Sequence, residues 1–132
     1  MLPSASAGPA PSKGTLMGTG NVRGARGESL AAAWLELAGC AVIGRNVRLG
    51  GVEVDLLARE GETRVVVEVK LRGRSDYGGA ALAVDHAKRG RLVRAAHALE
   101  QSGVPAVRID VIAIETEADG LTLRHYRNAV TE

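Results

Sequence analysis

Aromatic residues are nearly absent from this 132-residue chain: one Trp, two Tyr and no Phe. A nucleic-acid module that stacks bases on an aromatic platform therefore has almost no material, and any core must come from Val, Leu, Ile and Ala. Cysteine is equally scarce. The lone Cys40 excludes an internal disulfide and a cysteine-cluster zinc site, which suits a reducing compartment. No apolar run approaches the ~18 residues of a membrane helix, and the N-terminus lacks the apolar centre of a secretory signal. These absences lead us to expect a soluble cytoplasmic protein.

What is present is ordinary in bulk, with 45% hydrophobic and 24% charged residues, as expected of one globular domain. The formal net charge is only +2 and the sequence pI about 9.0, so placement of the basic residues matters more than their number. Residues 1–23 are rich in Gly, Pro, Ala and Ser with little apolar content to offset ordering entropy, and read as a disordered tail. Met17 offers an alternative start to Met1. The structured domain is expected over residues 24–132.

Helix formers crowd residues 28–38 and stop at Gly39. CAVIGRNVRL then reads as a strand, Gly50 and Gly51 as a turn, and VEVDLLAR as a second strand, with Val52, Val54 and Leu56 expected on one face and Glu53 and Asp55 on the other. After the turn EGET comes VVVEVKLR, where Val65, Val67 and Val69 share one face and Val66, Glu68, Lys70 and Arg72 share the other. Residues 84–102 read as a second helix with Leu92, Ala95 and Leu99 on its apolar stripe and Lys88 one turn earlier. AVRIDVIAIE and LTLRHY complete the chain as strands. The order of helix, three strands, helix and two strands predicts an α/β domain with a mixed sheet.

Parity decides whether the acids meet. A hairpin turn at Gly61-Glu62 or Glu60-Gly61 brings Asp55 beside or diagonal to Glu68, whereas a three-residue loop puts them on opposite faces. Taken alone, Glu68 and Lys70 are well explained as a solvated strand pair worth ~0.2–1 kcal/mol. Glu28, in isolation, is a first-turn glutamate favoured by the helix dipole. Adding Asp55 leaves a surface charge ladder and a metal site evenly matched.

The set Glu28, Asp55, Glu68-Val69-Lys70 and Lys88 resembles the PD-(D/E)xK nuclease superfamily, with Asp55 as the aspartate and Glu68-Val69-Lys70 as the ExK triplet. Within it the pieces GARGE, GRNVR, VEVDLL, VVEVKLR, AVDHAK and VRIDVIAI resemble the bacterial YraN-type family, which is similar to archaeal Holliday-junction resolvases. Where that family usually reads Gly-Glu-Ile-Asp, this chain has Val52-Glu53-Val54-Asp55. The resemblance implies a restriction-endonuclease-like core and a Mg²⁺- or Mn²⁺-dependent endonuclease acting on DNA, with branched DNA as one substrate class. It implies Asp55, Glu68 and the Val69 carbonyl as metal ligands, Glu28 as a ligand through water or a second ion, and Lys70 as the group orienting water or phosphate. Lys88, Arg72, Arg74, Arg91 and Arg94 form a basic surround suited to a phosphate backbone. A binding module without turnover is the alternative. The charge pattern does not separate DNA from RNA, and a two-fold junction cutter would need a homodimer.

Overall fold

The computed structural model describes residues 12–14, 25–72 and 86–131. Helix α1 (Ala25–Leu37) is followed by strands β2 (Ala41–Leu49), β3 (Val52–Glu60) and β4 (Thr63–Arg72), helix α2 (His86–Gln101), and strands β5 (Ala106–Glu117) and β6 (Gly120–Tyr126). That is the expected order. Ahead of them, β1 (Ser12–Gly14) adds a three-residue strand to the far edge, so the sheet has six strands in the order β1-β6-β5-β4-β3-β2. The stretch expected to be a disordered tail thus contributes one short pairing to β6. Its remaining residues lie outside those described.

Both helices end as their glycines predict. Gly39 (φ 93°) and Gly103 (φ 104°) take the left-handed conformation, and the following residues close the turn through Cys40 N to Leu35 O at 2.8 Å and Val104 N to Leu99 O at 3.2 Å. Two-residue turns at Gly50-Gly51 and Gly61-Glu62 make β2, β3 and β4 an antiparallel meander. The chain then crosses over through α2 so that β5 lies parallel to β4.

α1 covers one face of the sheet and α2 the other. Ala31, Ala32 and Leu35 pack on Leu56, Ala58, Val65, Val67, Ile112 and Ile114. Leu92, Ala95, Ala96 and Leu99 pack on Val52, Val54, Leu57, Val66 and Ile109. These assignments correct the expectation that Val52, Val54 and Leu56 share a face, because Leu56 faces α1 and the two valines face α2. β2 shifts register by one residue between Val42 and Gly44, and further along both strands the alternation reverses at a shared place. Arg45, opposite Leu56, reaches Ser29 of α1 at 3.1 Å, whereas Val47, opposite Val54, belongs to the α2 side. Between those pairs lie Asn46 and Asp55, and Asn46 has a left-handed backbone with φ 51°.

The α1 face also buries a polar chain. Trp34 Nε1 donates to His125 Nδ1 at 3.0 Å, and His125 Nε2 lies 2.8 Å from Asp110 Oδ2. Indole nitrogen can only donate, so Nδ1 accepts and the imidazole proton sits on Nε2, toward the carboxylate. Asp110, fully buried, also accepts from Arg108 Nε at 3.0 Å and from the Asn128 amide at 2.9 Å. Burial by itself would raise its pKa, but the His125, Arg108 and Asn128 hydrogen bonds hold the carboxyl below the usual range. Arg108 continues to Glu60 at 2.6 Å, which Arg127 also reaches. The Arg108–Asp110 pair is therefore one part of a larger network tying α1, β3, β5 and β6 together.

Candidate metal centre

The β3–β4 ladder runs from Glu60↔Thr63 to Leu56↔Val67, the register that a Gly61-Glu62 turn requires for Asp55 and Glu68 to meet. Beyond Leu56 the backbone pairing stops. Instead the Val69 amide donates to Asp55 Oδ2 at 2.8 Å, so a side chain takes the place of a strand carbonyl and the two strands part. The split is possible because β4 keeps its other partner: Glu68, Val69 and Lys70 continue in register with Val111, Ile112 and Ala113 of β5.

Into this split the sheet presents two acids. Glu68 is buried at 8% exposure, and its Oε2 is 2.9 Å from Lys88 Nζ in the first turn of α2. Asp55 is half-buried, and its carboxyl is pushed up to about 6. Desolvation is the chief cause, and the neighbouring Glu68 and Glu28 charges add to it; the Val69 amide and Lys88 work in the opposite direction. Lys88, in turn, is raised above its ordinary value by its hydrogen bond to Glu68.

The cleft has a volume of about 200 Å³. Val52 and Leu92 give it an apolar floor, and Glu53, Asp55, Glu68, Val69, Lys88 and Arg91 complete its lining. Val52, at the position where the resembled family usually has glycine, is buried against α2 rather than standing in the opening. Glu28, half-buried in the first turn of α1, accepts from Asn46 Nδ2 at 3.3 Å and is close enough to Asp55 to perturb it.

Among the described residues no group of three or more His, Cys, Asp or Glu side chains forms a ready cage for an ion. A Mg²⁺ ion does not require one, since one or two carboxylates with water and substrate phosphate complete its octahedron. Asp55 and Glu68 fit that demand in number and hardness, and the upward shift of the Asp55 carboxyl, caused first by desolvation and then by the Glu68 and Glu28 charges, marks a carboxylate held without enough counter-charge.

Of the other predicted residues, Lys70 is half-buried two positions beyond Glu68 on the same face, and Arg72 is half-buried at the end of β4. Arg91 is exposed at the cleft, and Arg94 is exposed one turn further along α2, its stem against Gly50 in the β2–β3 turn. Arg89 instead binds the Thr131 carbonyl at 2.9 Å. Arg74 lies outside the described residues, as does the loop that contains it. Asn46 was not among the sequence candidates. The period-two pattern gives no signal for it, because Val42 and Val47 fall on opposite faces, as in a regular strand, and adjacent Leu56 and Leu57 do the same.

The profile of the uncharacterised protein family UPF0102 matches residues 27–114. A UPF0102 protein of Burkholderia pseudomallei strain 1106a is 47% identical over 95 residues, covering 70% of this chain and 66% of its own length. The chain thus spans just under two thirds of that relative. A UPF0102 protein of Aeromonas hydrophila is 41% identical over 99 residues, covering 70% of this chain and 75% of its own. Among solved structures, Pyrococcus furiosus SfsA in complex with Ca²⁺ aligns at TM-score 0.32 and 15% identity, over 78% of this chain and 60% of that one.

Proposed function

We propose that this chain, which belongs to the uncharacterised protein family UPF0102, is a divalent-metal-dependent nuclease-type phosphodiesterase acting on DNA, with branched DNA as a candidate substrate. The observation that carries this reading is the parting of β3 and β4 at Asp55, which sets two carboxylates and a lysine at one cleft. The arrangement has the chemistry of the PD-(D/E)xK nucleases that the sequence motifs resemble. Asp55, Glu68 and the Val69 carbonyl would hold Mg²⁺ or Mn²⁺. When bound, such an ion supplies neutralisation of the nonbridging phosphate oxygens, acidification of water and stabilisation of the leaving alkoxide.

The chain's own side chains do the rest. Lys88, paired with Glu68 across the cleft, is placed to take a phosphate oxygen, and Arg91 and Arg94 extend that positive surface along α2. Lys70 would hold the attacking water or a phosphate oxygen from the Glu68 face. Glu28 adds negative charge from α1.

A noncatalytic nucleic-acid-binding module is the second reading. The Lys88–Glu68 pair favours it, since a carboxylate already neutralised at 2.9 Å needs no ion. The two separate in one assay: labelled single-stranded, duplex, flap and four-way-junction DNA are incubated with the chain, with and without Mg²⁺ or Mn²⁺. Metal-dependent cutting that is lost in Asp55→Ala and Glu68→Ala, with DNA affinity retained, supports the nuclease. Binding unaffected by metal, and as tight or tighter in the acid variants, supports the module.

A further inference from the structure

We infer that Asn46 is a positioning residue for this site: its left-handed backbone turns β2 and β3 at Asp55, and its side-chain amide holds Glu28 toward the metal carboxylates. The inference rests on the metal reading above.

Three observations converge on Asn46. First, a non-glycine residue with φ 51° inside a strand is uncommon, and such strain persists where the surroundings over-determine it. The other non-glycine residue with positive φ, Asn128, lies after β6, where its amide serves Asp110. Asn46 has no such turn to explain it. Second, the alternation of both strands reverses at Asn46 and Asp55, with Arg45 and Leu56 toward α1 and Val47 and Val54 toward α2. A regular β2 would carry Asn46 with the opposite hand. Third, Asn46 Nδ2 donates to Glu28 Oε1 at 3.3 Å, linking the kink to the one acid that α1 contributes near Asp55.

A kink that merely protected the edge strand β2 would need no bond to Glu28. A residue that turns the backbone and also holds a ligand-side carboxylate has the geometry of an outer partner of a metal site, and such partners commonly change metal affinity on the order of 10-fold or more.

The test is Mn²⁺ binding to the full chain without DNA, read by electron paramagnetic resonance, with metal-free melting measured in parallel. Asn46→Gly is the informative change, because glycine takes φ 51° freely and loses only the amide. We expect N46G to melt close to the wild type without metal, yet bind Mn²⁺ about 10-fold more weakly. Glu28→Gln should lose a comparable amount, and the double variant should lose no more than either alone.

Wild-type Mn²⁺ affinity in N46G, or strictly additive losses in the double variant, would overturn the inference while leaving the metal site standing. The same follows if E28Q binds Mn²⁺ as the wild type does, whether or not N46G folds well. A wild-type chain that binds no Mn²⁺ would remove the metal reading and this inference together.

Discussion

Replacing Asp55 with Asn should stabilise the protein above neutral pH, because the carboxylate is held where its charge is unwelcome. Its carboxyl moves from an ordinary 3.8 to about 6, chiefly by desolvation, with the Glu68 and Glu28 charges adding. At about 1.36 kcal/mol for each tenfold change in proton affinity, this corresponds to about 3 kcal/mol, and partial solvation of the group lowers the working figure to about 1–2 kcal/mol. Because the folded protein holds the proton more tightly than the unfolded chain, the penalty is absent below about pH 4 and grows as pH rises toward 6. Above that it is complete. Asn keeps an oxygen to accept the Val69 amide, so the hydrogen bond survives the change. Urea unfolding of the two proteins between pH 4 and 8, without divalent metal, should therefore show equal stability at the acid end and an Asp55→Asn advantage of about 1–2 kcal/mol at pH 7.5, or roughly 3–8 °C in melting temperature. Adding Mn²⁺ should narrow the gap by stabilising only the wild type. An advantage independent of pH, or a variant less stable at pH 7.5, would refute the argument that desolvation, with charge crowding added, shapes this site.

Lys88→Met leaves the aliphatic stem but strands the buried Glu68 carboxylate without its ammonium, so stability at neutral pH should fall by about 1–3 kcal/mol, while DNA affinity falls and the slope of log K against log salt becomes shallower by about 1; denaturant unfolding measures the first, and filter binding at several salt concentrations the other two. Trp34→Phe removes the donor to His125 Nδ1 and leaves a buried acceptor unpaired under α1, which should cost about 1–3 kcal/mol by denaturant unfolding, and a loss below 0.5 kcal/mol would argue that water or a rotated ring replaces the indole.

Much of this architecture is legible from local chemistry. Gly39 and Gly103 end the helices by adopting positive φ, as their positions after apolar-periodic runs require. The Gly61-Glu62 turn fixes the sum of paired positions in β3 and β4, and with it the meeting of Asp55 and Glu68. The failure of the simple alternation on β3 is equally instructive. Strict period-two reading joins Val52, Val54 and Leu56, but the strand reverses at Asp55, where its carboxylate replaces a backbone acceptor. His125 also carries no local signal of its burial, since a histidine in LTLRHY acquires its partners from α1 and β5, Trp34 lying 91 residues away along the chain.

The sequence by itself determined the order of the two helices and of strands β2 to β6, where the hairpins turn, and which acids and bases are available for phosphate chemistry. Those properties follow from dihedral preference, side-chain period and residue type, all of which act over a few positions. Only the tertiary structure decided that Asp55 would bind the Val69 amide, that Glu68 would be buried against Lys88, and that Asn46 would hold Glu28. Each of these depends on desolvation and on distances between separate elements, and both arise only when the helices close over the two faces of the sheet.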